Sequence, residues 1–330
     1  MELKAWKHRE FLDATFPISP ILGGNLLDMG EKMVLYGPSE SGKSYLADQL
    51  ALELATGGNF FGFEVLREGL RVEIFQAEVS VPRYQERHAK LSANYRGDPD
   101  LWVTTTEELK LDTVEGAEAL KSHLEVVRPH VIVLDPMRAF FGGDENSSED
   151  VERWFTGLAY ARGEMQASVI YVHHVRKEMA GGGDEGGGKA SARGSGLIID
   201  RPSTALALTV NEAQTAWTLT FRKSRNRNKR PEPVKLRANF ESGLFESDVE
   251  LDLSGLYVSS IMVMLADGPM AQAEVQRRVA REWGVNPRTV YDWIMVAERR
   301  ELLRRERRGG PGSPWTLEGV GGVDTGKELG

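Results

Sequence analysis

The residues most able to do chemistry are Gly37-Pro38-Ser39-Glu40-Ser41-Gly42-Lys43-Ser44, which fit the spacing G-x-x-x-x-G-K-[ST]. A glycine-rich turn between a strand and a helix lets backbone N–H groups and the helix N-terminus surround phosphate oxygens. In such a loop Lys43 would neutralise the β and γ oxygens of a nucleotide, and Ser44 would offer its hydroxyl to Mg²⁺. Tyr45 follows directly, so the candidate nucleotide-contacting run is 37–45. The rival explanation, a chance turn before a surface lysine, is weakened by the strand and helix that flank the motif. Glu40 adds a negative charge to the loop and is expected to point outward.

Three further groups end apolar runs, where a parallel sheet presents its ligand-binding edge. Asp135 closes VIVLD and is a candidate to hold Mg²⁺ through water, against the alternative of a simple turn or capping aspartate. Glu78 closes RVEIFQAE and is the candidate to polarise an attacking water. Its rival, Glu73, falls in mid-strand and reads as structural. His173 and His174 close SVIYVHH. Adjacent strand residues point to opposite faces, so the two are poorly placed to share a metal ion. His174 is preferred as a polar sensor of the γ-phosphate, with the other histidine packed or hydrogen-bonded.

These groups need a scaffold, and the flanking pattern supplies one. Strand-like runs at 33–37, 70–78, 130–136 and 168–174 alternate with helical stretches at 44–57, 81–95, 114–128 and 147–162. That alternation predicts an α/β fold with a mostly parallel, twisted sheet covered on both faces. STALALTV (203–210) and AWTLTFRK (216–223) read as a hairpin extending the sheet. EMAGGGDEGGGKASARGSG (178–196) is too glycine-rich to pack and reads as a loop. The pattern changes near 245–255, which divides the chain into 1–250, 255–320 and a tail at 321–330.

Composition narrows the classes. Of 330 residues, 41% are hydrophobic and 27% charged, in the globular range. The absence of cysteine excludes disulfides, thiolate zinc sites and a cysteine nucleophile. No run approaches the roughly 20 apolar residues of a membrane span, and the N-terminus lacks a signal-peptide core, so a cytoplasmic protein is expected. The net charge of -8 argues, as a bulk figure, against nucleic acid, but it is unevenly spread. Residues 222–237 hold eight basic side chains and one acid, a local +7; such a run is ordinarily a solvated face or arm.

Past Leu256 the run reads helix, helix, tight turn, helix, then a strand, a Gly/Pro turn and a strand. Val290, Trp293, Ile294 and Ala297 fall at helical spacing and are expected to be buried. This part resembles a winged helix-turn-helix domain. Residues 274–308 carry ten arginines and six acids, and Arg288, Thr289 and Tyr291 near the start of the third helix are candidate DNA contacts. A protein-binding winged helix is the alternative.

The ordered set GPSESGKS, FFGFEVLREGLRVEIFQAE, VIVLDP and VHHVRK with its glycine-rich loop resembles the RecA-like ATPases over about residues 15–240. Among them it looks like the hexameric replicative helicases of the plasmid RepA and DnaB type and related phage proteins. The resemblance implies a RecA-like P-loop core using ATP and Mg²⁺, in a homo-hexamer that moves on single-stranded DNA. It implies Lys43 and Ser44 as the loop lysine and serine, Glu78 as the catalytic carboxylate, Asp135 as the metal-site carboxylate and His174 as the sensor. Lys223-Ser224-Arg225-Asn226 matches the K-x-R-N stretch that reaches the neighbouring subunit's nucleotide, and Arg201 is a second candidate finger. Arg176, Lys177, Lys189 and Arg193 would line the pore. The family's primase-contacting domain has no counterpart in the sequence. The winged helix would take duplex DNA or a replication partner. Two other classes compete: a non-motor, ATP-switched DNA-binding protein (regulator, loader or recombination factor) and, more weakly, a small-molecule P-loop kinase.

Overall fold

A computed structural model describes residues 5–16, 18–95, 97–175, 193–226, 230–247, 261–262, 264–266, 268–283, 287–299, 303–307 and 313–319. Its centre is a nine-stranded sheet of β3 (Lys32–Gly37), β6 (Val72–Gln76), β7 (Leu101–Thr105), β8 (Val131–Asp135), β9 (Ser168–His174), β10 (Thr204–Val210), β11 (Trp217–Ser224), β12 (Val234–Ala238) and β13 (Phe245–Ser247). The order is β13-β12-β11-β10-β3-β9-β8-β6-β7. The strands from β10 to β7 in that order pair in parallel, and β10 to β13 form an antiparallel meander. The expected α/β class and the predicted hairpin 203–223 are both present. The edge strands β7 and β13, and β12 beside β13, were not anticipated. β12 carries the end of the basic run as Val234 and Leu236 inward against Lys235 and Arg237 outward, the period-2 pattern of a one-sided strand.

Helices cover both faces because the central strands are apolar on both sides. On one face lies α2 (Lys43–Thr56), packed with α3 (Val81–Ser92) and the small hairpins β1–β2 (Pro20–Leu22, Leu27–Asp28) and β4–β5 (Asn59–Phe60, Phe63–Glu64). On the other lie α4 (Val114–Val127), α5 (Ser148–Arg162) and α6 (Arg193–Asp200). Local signals set their ends. α2 stops at Gly57 in the left-handed conformation, and the Thr113 and Ser147 side chains accept from backbone N–H groups at the starts of α4 and α5. Trp154 of α5 is fully buried and donates its indole N–H to the Phe140 carbonyl at 2.9 Å. Before the sheet, α1 (His8–Asp13) buries none of its residues.

The 178–196 segment departs from a pure loop. Its last residues, 193–196, belong to α6, because Leu197–Ile198–Ile199 supply an apolar anchor and Ile198 is buried under α5. The expected boundary near 245–255 falls mostly on 248–260, outside the described residues.

Toward the C-terminus, residues 261–262 and 264–266 are helical, followed by β14 (Met270–Ala271), α7 (Gln272–Trp283), α8 (Pro287–Arg299), β15 (Leu303–Arg307) and β16 (Trp315–Gly319). The strands form an antiparallel sheet ordered β14-β16-β15. Val290, Trp293, Ile294 and Ala297 are all buried in its small core, as their spacing predicts. Among the described residues no helix is long and apolar enough to cross a membrane.

Candidate active site

Strand alternation gathers the candidate residues. Met33 and Leu35, Val72 and Ile74, Val131 and Val133, and Ile170 and Val172 all belong to the core on the α2 side of the sheet. Two residues further along the same strands come Gly37, Gln76, Asp135 and His174, which the period of two assigns to that face. Glu73 falls on the other face, buried, where its Oε1 takes the Thr104 hydroxyl at 2.8 Å and lies 2.5 Å from His123 Nε2. Its role there is structural.

The loop from Gly37 to Gly42 leaves β3 and enters α2 with no side-chain cap, which exposes first-turn N–H groups to an anion. Two glycines are sterically required. A Cβ on Gly37 would stand 2.2 Å from the Leu208 carbonyl oxygen. Gly42 has φ +84°, and a Cβ there would stand 2.7 Å from Phe245 Cζ. Glu40, also left-handed at φ +60°, is exposed, as expected. Ser39 is exposed, Pro38 half-buried, Ser41 buried and Tyr45 40% exposed.

Lys43 is buried, and its ammonium donates to the Pro38 carbonyl at 2.5 Å and to Ser41 Oγ at 3.4 Å. Burial lowers its pKa to about 8, partly opposed by the charges of Asp135 and Glu78. Asp135 is pushed up to about 7, first by burial and then by the Asp48 carboxylate, while a hydrogen bond from Ser44 and the charge of Arg87 act the other way. Its Oδ1 is buried and has no hydrogen-bond partner. Asp135 and Gln76 are register partners, and Ala77 N–H donates to the Asp135 carbonyl at 3.2 Å. That bond brings exposed Glu78 to the same edge, close enough to act on the charges of Lys43, Asp135 and His174.

His174 pairs in register with Gly37, and His173 with Tyr36. Burial lowers the pKa of both, His173 to about 4, with Lys43 acting in the same direction on each. Neither ring nitrogen of either histidine has a hydrogen-bond partner.

The other candidates lie elsewhere. β11 returns antiparallel to β10, so Ser224 pairs with Thr204 at the sheet edge where β3 begins, opposite the loop. Lys223 and Arg225 both donate there to the Asp200 carbonyl, Arg225 at 2.9 Å. Arg201 follows α6, forms an ion pair with Glu152 and lies over the Phe155 ring. Arg176, Lys177 and Lys189 lie outside the described residues. Arg193 opens α6, while Arg288 and Thr289 stand in the first turn of α8. Tyr291, expected to face DNA, is instead 3% exposed. Arg305 Nη1 donates to its hydroxyl at 3.2 Å, and Glu53 and Glu64 of the sheet domain lie within electrostatic reach. Tyr291 is not in the small core with Val290 and Ile294; it is covered by Arg305 and by the side of the unit that meets the sheet domain, beside Glu53.

Sequence reasoning missed three groups. Trp217 donates its indole N–H to the Ser41 carbonyl at 3.0 Å. Gln49 makes two hydrogen bonds to the Phe245 backbone, accepting at 2.8 Å and donating at 3.0 Å. Asp48 is buried in α2 against Arg87 of α3. The available signal was an acid, Asp48, set between the apolar pairs Leu46–Ala47 and Leu50–Ala51 of α2.

Comparison with known proteins bears on the family and the fold. The family described as AAA domain matches residues 1–180. Among solved structures, one separately solved ATPase domain is similar at TM-score 0.50 and 12% identity, covering 66% of this chain and 84% of that one. A KaiC-like protein of the archaeon Pyrococcus horikoshii is similar at TM-score 0.47 and 14% identity, covering 67% and 90%. The first likeness supports the RecA-like fold, and the family match extends over more than half of the sequence: the chain belongs to the AAA domain family and is an ATPase.

Proposed function

We propose that this chain is a ring-forming DNA motor of the cytoplasm, a hexamer that moves along single-stranded DNA by hydrolysing ATP between subunits. The observation that carries this reading is the position of Lys223 and Arg225 at the sheet edge opposite their own phosphate loop. Side chains there have no nucleotide to act on within one subunit. In a ring they enter the neighbour's site, where an arginine stabilises the charge of the transferring phosphoryl group. Arg201 lies near the same edge as the second candidate.

On the loop side, residues 37–45 hold ATP. Ser44 would offer its hydroxyl to Mg²⁺ and Asp135 would hold the ion through water, oxygen donors that suit a hard cation which keeps several waters. The unpartnered, buried Oδ1 of Asp135 fits that role. The bound cation supplies charge neutralisation on the phosphates. Lys43 balances the β and γ oxygens, Glu78 orients the attacking water, and His174 senses the γ-phosphate.

Arg176, Lys177, Lys189 and Arg193 line the pore and touch the DNA backbone. Residues 1–250 form the motor. Residues 255–320 form a winged helix-turn-helix unit with Arg288 and Thr289 on its third helix, and 321–330 a tail. One observation favours the second reading, a non-motor ATP switch: Arg307 pairs with Glu68 and Gln272 donates to Glu64 at 3.4 Å, which seats the C-terminal unit on the ATPase core.

Mass measurement with and without nucleotide and single-stranded DNA tests the ring, and a monomer throughout would sink it. The motor reading expects DNA-stimulated ATPase with ATP-dependent strand displacement. Nucleotide-dependent DNA binding without displacement would select the switch.

A further inference from the structure

Behind the phosphate loop lies a buried polar cluster that the roles above leave unused. Asp48 is fully buried and stands one helical turn beyond Ser44, on the same stripe of α2. Its Oδ1 accepts from the Tyr84 hydroxyl at 2.9 Å, and its Oδ2 lies 3.0 Å from the Arg87 guanidinium. His88 Nε2 lies 2.8 Å from the Tyr84 hydroxyl and 3.5 Å from Asp48 Oδ1. The Arg87 side chain is only 9% exposed and is held between the Tyr45 and Tyr84 rings, 4.9 and 4.7 Å from their centroids.

Every contact in the cluster joins α2 to α3 or lies within one of them. α2 carries Lys43, Ser44 and Tyr45, and α3 starts three residues after Glu78. The cluster borders Asp135, on whose charge both Asp48 and Arg87 act. Once desolvation is counted, a buried ion pair adds little net stability, and apolar side chains would join the helices as well. What the Asp48–Arg87 pair adds, beside the directional Tyr84–Asp48 hydrogen bond and the stacking of Arg87 between two tyrosine rings, is a fixed register. Here one registered element carries Ser44 and the other follows the phosphate edge at Glu78.

We propose that Asp48 and Arg87 are positioning residues for the metal-bound nucleotide, locking α2 against α3 so that Ser44 stays on Asp135 and Glu78 stays at the phosphate edge. The inference rests on the assignment of Ser44 and Asp135 to the Mg²⁺ site. Outer-shell partners of metal ligands act in this way, and their loss typically costs roughly 10- to 100-fold in metal affinity or activity.

The test is calorimetric binding of ADP to the full chain across a Mg²⁺ series. Arg87→Met is expected to keep the Mg²⁺-free affinity of the unmutated chain while the Mg²⁺ needed for half of the metal-dependent gain rises roughly 10- to 100-fold. Arg87→Lys, which keeps the charge but not the planar stack, recovers part of the loss. Removing one partner strands a buried charge, so Asp48→Leu/Arg87→Met is measured too. It is expected to recover the melting temperature and keep the Mg²⁺ defect. The inference is overturned if Arg87→Met responds to Mg²⁺ like the unmutated chain, if affinities with and without Mg²⁺ fall together, or if the double variant regains the normal response. If ADP binding by the unmutated chain shows no Mg²⁺ dependence, the metal-site assignment fails first and this inference falls with it.

Discussion

Trp217 donates its indole N–H to the backbone carbonyl of Ser41 at 3.0 Å, so the strand that ends near Lys223 begins on the phosphate loop. Its other end makes contact with Asp200 at the far edge of the sheet. Six residues of extended chain cover roughly 20 Å, enough to cross the sheet from one edge to the other. One strand therefore supports the loop of its own subunit and presents the side chains proposed to act on the next.

Trp217→Phe keeps most of the ring packing and removes the donor. The Ser41 carbonyl is then left buried without this partner, which costs about 1–3 kcal/mol. Urea denaturation should show that loss, and equilibrium binding should show weaker ADP affinity.

Gly42→Ala should be more severe. It places a side chain at φ +84° with its Cβ 2.7 Å from Phe245 Cζ. Such backbone strain alone costs on the order of 1–3 kcal/mol. Nucleotide affinity should fall by about tenfold or more. Adding Phe245→Leu relieves the clash but not the dihedral, so recovery should be partial. Full recovery would show that the ring contact, not the backbone, sets the cost.

Asp135→Asn should separate stability from activity. The folded-state pKa of Asp135 is raised to about 7, so the folded chain binds more protons than the unfolded chain between the ordinary carboxylate value and 7. Stability from this group therefore falls as pH rises through that window and stays reduced above it. The amide has no such term. In the nucleotide-free protein, Asp135→Asn should gain on the parent between pH 5 and pH 8 while ATP turnover is lost. His173, lowered to about 4, contributes the opposite slope between its ordinary value and 4, so the measurement is the difference between variant and parent melting curves. An equal margin at both pH values would refute the assignment.

Arg225→Ala should lower ATP turnover by roughly 10³- to 10⁵-fold, the range for loss of an arginine finger, with nucleotide binding unchanged. Lys43→Ala should abolish turnover through its own site. Because the two residues would act on different subunits' nucleotides, mixed assemblies of the two variants should regain some turnover. Full turnover by Arg225→Ala alone, or no complementation in the mixture, would remove the case for a shared site.

The sequence by itself determined the parts of this protein that depend on short-range regularities. Spacing identified the loop 37–44, and apolar runs closed by Asp135, His174 and the Gln76–Glu78 segment identified the sheet edge, because a strand's period of two assigns each side chain to a face. Helical spacing likewise singled out Val290, Trp293, Ile294 and Ala297 as buried. Only the tertiary structure decided which distant segments meet. Trp217 on Ser41, Phe245 against Gly42 and Arg87 against Asp48 are contacts between elements far apart in the chain, and no local pattern encodes a partner. The same limit applies to Tyr291, whose polar tip reads as a surface group until packing covers it beside Arg305. Charge behaves alike. A basic run such as 222–237 reads as a solvated arm, whereas the sheet draws Val234 and Leu236 into the core and sets Lys223 and Arg225 at the edge opposite the phosphate loop. Local sequence selects the element and its face, and only packing brings distant elements together to make a site.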